Sequence, residues 1–269
     1  MGMLGTLSAN KLGGASLIIG SILAIVFSLI TPGAFSADPS SGAEVITALA
    51  GSSGLAKVCA LLITLGIVHV LFGVIVIQGN VKDGDGSALT RFGALTILIA
   101  ITLGVVGNSL VAVMAGADLM DPASMGAVGA VFAANQGINI IGGSLAGLGF
   151  FLFALGLSTR DGYNQMVAYL AALAGIVSLV CVLIGGLASE TAQVMGIIVG
   201  ICWIVTTLWA VILGLDLLKQ ELSKWGGKTT LHIVEGGDHS FKTLKKIART
   251  QQDIRHEISK VISTWLNKT

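Results

Sequence analysis

The stretch VCALLITLGIVHVLFGVIVIQGNV, residues 58–81, decides the fold because it contains no charged side chain. A helix needs about 20 apolar residues to cross a hydrocarbon core about 30 Å thick. Five further charge-free runs approach or exceed that length, and they are Leu12 to Ile30, Phe92 to Ala117, Gly137 to Thr159, Gly162 to Ser189 and Thr191 to Leu215. The sequence therefore predicts a protein whose apolar core lies in a lipid bilayer.

Composition agrees with this interpretation, since 54% of the residues are hydrophobic and 11% are charged. A soluble domain carries about 25% charged residues. We predict an all-α integral membrane protein with six transmembrane helices in residues 1–218, followed by a basic tail, residues 219–269. The predicted spans cover about residues 12–31, 58–79, 92–113, 137–157, 165–188 and 192–216.

Lysine and arginine beside the spans predict the orientation, because positive charge is retained on the cytoplasmic side. These residues follow or precede alternate spans, and they are Lys11, Lys82, Arg91, Arg160, Lys219, Lys224 and Lys228. We therefore expect a multi-pass protein of the cell (inner) membrane with both termini in the cytoplasm. A second interpretation makes the first run a cleaved signal peptide, which would leave five spans, but signal peptides have shorter apolar regions of about 7 to 15 residues.

A weak internal repeat relates two spans that start on the same side. Residues 11–19, KLGGASLII, align with residues 91–99, RFGALTILI. A duplicated two-span hairpin would produce this match, and so would chance similarity between apolar helices. A parallel duplication differs from the inverted repeats of many transporters.

His69, near the middle of the second span, is one of the few ionisable residues at membrane depth. Such residues are costly in a bilayer and often functional. The alternatives are a haem or metal ligand, a proton acceptor, or a neutral imidazole bonded to a neighbouring helix. We favour the last, because the other three histidines lie in the tail. No metal or cofactor is expected, and the three cysteines are predicted to be small buried residues.

Amide side chains form the other polar candidates within the spans. Asn108 lies near the outer end of the third span, and Asn135, Gln136 and Asn139 lie at the start of the fourth. Amides join membrane helices by hydrogen bonds. Helix packing is therefore the favoured interpretation, and an external vestibule is the alternative.

Glycine is the most frequent packing signal in the chain, with 37 copies. Gly143 and Gly147, and Gly196 and Gly200, are each four residues apart. Small residues at this spacing let two membrane helices approach closely. Contacts within one chain and contacts between copies both fit, so the expected partners are the lipid bilayer and a second copy, with no nucleic acid.

The sequence pattern of the tail changes after residue 227. Thr229 to Val234 alternates like a β-strand, and Glu235-Gly-Gly-Asp-His-Ser-Phe-Lys242 follows. This segment resembles the end of small α/β-hydrolases of the dienelactone-hydrolase-like type, over about residues 228 to 268. The resemblance implies that His239 matches the catalytic histidine and that Gln252 to Leu266 matches the closing helix of that fold.

A nucleophile for His239 is missing, and this argues against hydrolysis. A hydrolase of this fold needs a serine on a Gly-x-Ser-x-Gly elbow between a strand and a helix. The nearest match, Gly142-Gly-Ser-Leu-Ala146, lacks the final glycine and lies in the fourth span. We therefore expect a short hydrolase-like remnant without catalytic activity.

These observations favour a structural or accessory membrane protein. The first alternative is a carrier or channel for a small or apolar solute, which would use His69 or Asn108 in a cavity. The second is a membrane-tethered hydrolase with His239 as its base.

Overall fold

The chain is all-helical over the residues that the computed structural model describes, 8–226 and 251–266. The helices are α1 (Ala9–Ile30), α2 (Gly42–Gly51), α3 (Ser53–Asn80), α4 (Ser87–Met114), α5 (Pro122–Ser158), α6 (Gln165–Leu187), α7 (Ala192–Gly226) and α8 (Gln251–Leu266). All of them except α2 and α8 are long and apolar enough to cross a membrane. The prediction of an all-α membrane protein with six spanning helices is therefore confirmed.

Local signals in the sequence start several of the helices. The hydroxyl of Ser8 accepts a hydrogen bond from the Lys11 amide at the start of α1. Asp121 accepts from two amides at the start of α5, where Pro122 occupies the first turn, and Asn164 accepts from the Val167 amide before α6. These side chains satisfy amides that have no partner within the helix.

Consecutive spanning helices pack side by side. Helix α1 contacts α3, α3 contacts α4, α4 contacts α5, and α5 contacts α6. Helix α7 returns to the start of the bundle, because Gly14 of α1 meets Gly214 of α7. Helix α7 also meets α5, where Phe153 and Trp209 pack edge to face with ring centroids 6.1 Å apart.

The bundle has two ends that differ in their connections. The terminal face holds the start of α1, the α3–α4 connection and the α5–α6 connection. The opposite end, the α2 face, holds α2 and the α4–α5 and α6–α7 connections. The main core, with Leu17, Ile77, Phe153 and Leu217, draws on all six spanning helices, and a second cluster forms beneath α2 around Ile46 and Met114.

Helix α5 is much longer than the span predicted within it. It has 37 residues, which at 1.5 Å per residue is about 55 Å. The predicted span begins at Gly137, after the amides Asn135 and Gln136, although the sequence has no charged residue from Pro122 to Thr159. The additional early part of α5 packs against α2, and the Nε2 atom of Gln136 donates to the Pro39 carbonyl over 2.6 Å.

Helix α2 does not follow from any charge-free run. Its local signal is Ser41 three residues before Glu44, a spacing typical of helix starts. The Ser41 hydroxyl accepts from the Glu44 amide over 3.4 Å, and the Glu44 carboxylate accepts from the Asp38 amide over 2.9 Å. The spacing of Ser41 and Glu44 is therefore the signal in the sequence that predicts the start of α2.

The tail contributes α8, a helix of 16 residues, at the place where the hydrolase resemblance implies a closing helix. The expected strand from Thr229 to Val234 and the expected catalytic His239 lie outside the described residues.

Candidate functional site: glycine contacts and a polar cleft

Reciprocal glycine contacts join α1 to α3. A Cβ atom placed on Gly20 would lie 2.6 Å from the carbonyl oxygen of Gly66. A Cβ atom placed on Gly66 would lie 2.7 Å from the amide nitrogen of Ala24. Real Cβ atoms do not approach a backbone this closely, so only glycine fits on either side.

Three further pairs repeat this contact between other helices. Cβ atoms placed on Gly147 of α5 and Gly175 of α6 would each lie 2.8 Å from the carbonyl oxygen of the other residue. Cβ atoms placed on Gly14 of α1 and Gly214 of α7 would each lie 2.7 Å from the carbonyl oxygen of the other residue. Gly93 of α4 and Gly149 of α5 also meet in this way, with a Cβ on Gly93 2.8 Å from the Gly149 oxygen. The bundle is therefore closed by direct backbone contacts.

The contact between α4 and α5 runs in one register along both helices. Gly86 meets Gly156, Gly93 meets Gly149, and Gly107 meets Asn135. Ala100 and Gly142 lie between these pairs, with a Cβ on Gly142 3.8 Å from the Ala100 oxygen. Small residues seven apart return to the same face of a helix. This antiparallel register explains why α4 and α5 both have small residues seven positions apart.

Helices α1 and α3 use the same spacing as α4 and α5. Gly13 and Gly20 of α1 meet Gly73 and Gly66 of α3. Gly13 and Gly93 are equivalent positions in the internal repeat, and each meets a glycine of the next spanning helix. In both hairpins a glycine near the start of the first helix therefore packs against a glycine of the second.

The predicted packing glycines divide into two groups. Gly147 meets α6, and a Cβ on Gly143 would lie 3.2 Å from the side chain of Val182. Cβ atoms on Gly196 and Gly200 of α7 would have no atom of another residue within 4 Å, leaving aside their chain neighbours and the nearby backbone of α7. The first pair serves the fold of one chain, whereas the second faces open space.

His69 lies at the boundary between α3 and α1. Its Nδ1 atom is 2.7 Å from the carbonyl oxygen of Leu65 in the same helix. The prediction of a partner on a neighbouring helix is therefore wrong, because the preceding turn supplies the acceptor. Among the described residues, no group of three or more His, Cys, Asp or Glu side chains is placed to hold a metal ion.

Asn108 joins two helices, as its sequence position suggests. Its Nδ2 atom donates to the Thr64 hydroxyl over 3.2 Å, and that hydroxyl donates to the Ala60 carbonyl over 2.8 Å. Asn135 is buried, and its Oδ1 atom has no hydrogen-bond partner within the described part of the chain, whereas Asn139 is exposed. Both Oδ1 atoms point toward Gly107, within 3.3 Å of a Cβ placed there.

Ser144, the serine nearest to a nucleophile motif, lies inside α5 rather than on a strand-to-helix turn. Its hydroxyl is buried without a hydrogen-bond partner among the described residues. Its position in a continuous helix gives it no elbow geometry.

A small cavity remains between α5, α6 and α7. Its volume is about 10 Å³, and its lining includes Gly147, Ser178, Cys202 and Thr206. One water molecule needs about 10 to 15 Å³. This space is too small for a solute.

The larger space is a polar cleft at the terminal face, with a volume of about 460 Å³. The α3–α4 connection, the α5–α6 connection and the end of α7 each contribute side chains. The lining residues are Asn80, Val81, Asp85, Thr159, Arg160, Asp161, Gly162, Tyr163 and Gln220. The sequence does not indicate this cleft as a unit, because its lining residues come from three separate segments of the chain.

Arg160 in the α5–α6 connection forms hydrogen bonds with the α3–α4 connection. Its Nη2 atom donates to the Val81 carbonyl over 3.1 Å and also to the Asp83 carbonyl. These oxygens lie just beyond the end of α3, where the helix dipole favours positive charge. The arginine predicted as an orientation signal is therefore also a helix cap.

Tyr163 lies beside Arg160 in the connection before α6. Burial raises the pKa of its phenol to about 12, and the negative charge of Asp216 acts in the same direction. The charge of Arg160 lowers the pKa by a smaller amount. Asp216 also pairs with Lys219, at 3.8 Å.

Comparison with known protein families, curated proteins and solved structures finds no match for this chain.

Proposed function

We propose that this chain is a structural or accessory protein of the cell (inner) membrane, with both termini in the cytoplasm and no catalytic activity. The observation that carries this proposal is the set of reciprocal glycine contacts between spanning helices. Contacts between backbones leave no room for side chains or solute between Gly20 and Gly66, or between Gly147 and Gly175.

The intramembrane polar residues support the same conclusion. The Nδ1 atom of His69 lies within hydrogen-bond distance of a carbonyl oxygen in its own helix, and Asn108 donates a hydrogen bond to the Thr64 hydroxyl. A carrier would leave such groups directed into a cavity, and neither residue lines the cavity between α5, α6 and α7 or the terminal-face cleft.

The orientation rests on positive charge near the terminal face. Lys11, Lys82, Arg91 and Arg160 lie in or beside the connections at that end of the bundle. The positive-inside tendency then places the terminal face in the cytoplasm.

Reconstitution tests the absence of a transport role. Liposomes that contain the purified chain should take up glycerol, potassium ions and protons at the rates of protein-free liposomes. A flux that disappears in the variant Asn108→Leu or His69→Leu would contradict the proposal and favour a carrier.

Assembly with a second copy through α7 is part of the proposal. Gly196 and Gly200 face open space, and Ile197 beside them is 61% exposed. Small residues four apart on a membrane helix allow close packing with another helix.

Cysteine cross-linking in membranes tests this assembly. The three native cysteines are buried, so an introduced cysteine is the reactive one. Ile197→Cys should form a disulfide-linked dimer, and adding Gly200→Leu should prevent it. Leu173→Cys on α6 is the matched control, because Leu173 is 59% exposed. Equal cross-linking at both positions would indicate random collision and contradict an α7 interface.

A further inference from the structure

The small cavity between α5, α6 and α7 excludes most kinds of ligand by its size and its lining. Its volume of about 10 Å³ is close to the lower limit for one water molecule, about 10 to 15 Å³. A lipid chain or an organic solute is much larger. The described residues that line the cavity include no charged side chain, so the lining does not suit an ion. A single uncharged molecule of the size of water is what the cavity can hold.

Ser178 of α6 brings a hydroxyl group without a partner to this cavity. The residue is 7% exposed, and it forms no hydrogen bond with the residues that the structure describes. Other hydroxyl groups in the spanning helices donate to a carbonyl four residues earlier, as Thr96 does to Phe92 over 2.8 Å. A buried hydroxyl without a hydrogen bond costs free energy. The cavity that Ser178 lines is the space in which a partner can lie.

Two side chains of α7 supply acceptors to the same cavity. The Thr206 hydroxyl shares its hydrogen between the carbonyl oxygens of Cys202 and Trp203, at 3.1 and 3.0 Å. Its own oxygen therefore keeps the capacity to accept. The sulfur of Cys202, a free and buried thiol, is a weaker acceptor. One donor on α6 and two acceptors on α7 match the three or so hydrogen bonds that a buried water makes.

We propose that this cavity binds one water molecule, which joins α6 to α7. The Ser178 hydroxyl donates to the water, and the water donates to the Thr206 oxygen and to the Cys202 sulfur. Gly147 and Gly175 line the same cavity and bring the backbones of α5 and α6 together there. The water adds a polar link from this pair of helices to α7.

Alanine substitutions of two buried serines test the proposal by the sign of their effects. Ser178→Ala removes the donor to the water and should lower the unfolding temperature of the full chain in detergent. The matched control is Ser144→Ala, because the Ser144 hydroxyl is buried without a partner among the described residues but does not line the cavity. This control should raise the unfolding temperature, since it removes an unsatisfied polar group and alanine favours the helix.

The difference between the two variants should be at least about 2 to 4 °C, the scale of one hydrogen bond in a chain of this size. Comparing them cancels the helix preference of alanine, which both variants gain. A rise in Ser178→Ala equal to that in Ser144→Ala would overturn the proposal, because it would mean that the Ser178 hydroxyl also has no partner.

A double-mutant cycle tests the link between α6 and α7. A shared water couples the two hydroxyl groups, so Ser178→Ala combined with Thr206→Val should shift the unfolding temperature by less than the sum of the single shifts. Thr206→Ser keeps the hydroxyl and should leave the effect of Ser178→Ala unchanged. Single shifts that add in the Thr206→Val cycle would contradict a water shared by both helices.

A high-resolution experimental structure of the unchanged protein tests the proposal without any variant. It should show one water within about 3 Å of both Ser178 Oγ and Thr206 Oγ1, and the water should be lost in Ser178→Ala. A map that resolves ordered waters elsewhere between the spanning helices, but none in this cavity, would refute the proposal.

Discussion

At the scale of single residues, glycine has two distinct roles in this chain. Gly147 and Gly137 both belong to α5 and look alike in the sequence. Gly147 touches the backbone of α6, whereas a Cβ on Gly137 would have no contact within 4 Å beyond its own stretch of helix. The same residue type therefore makes a close backbone contact at one position and no such contact at another ten residues away.

Alanine substitutions should separate these two roles. Gly147→Ala places a methyl group 2.7 Å from the Leu179 amide nitrogen, and overpacking of this kind costs about 1 to 3 kcal/mol. Gly137→Ala should be neutral or stabilising, because alanine favours helix by up to about 1 kcal/mol over glycine. Thermal unfolding in detergent measures both, and equal unfolding temperatures would contradict the close contact.

Tyr163 should titrate at unusually high pH. The phenolate absorbance of a Tyr169→Phe variant reports Tyr163 alone, since the chain has two tyrosines. We expect a midpoint near 12, and Asp216→Asn should lower it because the Asp216 charge raises the pKa. Asp118→Asn at the α2 face is the control and should leave the midpoint unchanged.

The stability of the fold should follow the same titration. The folded pKa of about 12 lies above the ordinary value of 10.0, so the folded state holds its proton more tightly than the unfolded state. The contribution of Tyr163 is therefore complete below pH 10 and declines as the pH rises toward 12. An unchanged contribution across this window would contradict the burial of the phenol.

At the scale of helices, the register between α4 and α5 depends on small residues at intervals of seven. Each helix alone shows only frequent glycine and alanine, and several registers would bring some of them together. The pairing of Gly86 with Gly156 and of Gly107 with Asn135 selects one register.

Paired cysteines should detect this register. With the native cysteines replaced by alanine, Ala100→Cys and Gly142→Cys should form an intramolecular disulfide under mild oxidation. The pair Ala100→Cys and Ala146→Cys, one turn away on α5, should not, because Ala146 lines the small cavity toward α6 and α7. Cross-linking of the second pair alone would indicate a shifted register.

At the scale of the whole molecule, six spanning helices place the α6–α7 connection and the terminal face at opposite ends of the bundle. The positive charge near the terminal face predicts that this end is cytoplasmic.

Reporter fusions test this topology in cells. A reporter after Ser189 should be active on the outer side, and one after Thr269 should be active in the cytoplasm. Both reporters on the same side would contradict six crossings with cytoplasmic termini. A reporter after Asn80, at the terminal face, is the control and should agree with the one after Thr269.

The spanning helices could be predicted almost completely from the sequence, because length and lack of charge decide whether a helix can cross a bilayer. The role of Asn108 in joining helices was also predictable. The partner of His69 was not, since a carbonyl of its own helix competes with any neighbour. Helix α2 was missed because it is short, and its capping residues are its main signal.

The sequence by itself determined that this chain is a bundle of six apolar helices with positive charge concentrated at one end, because hydrophobicity and charge act locally on each segment. Only the tertiary structure decided which glycines close the bundle, that Gly196 and Gly200 remain open, and that Asn80, Asp85, Arg160 and Tyr163 share one cleft. Those properties depend on distances between segments far apart in the chain, and such distances are set by packing rather than by composition.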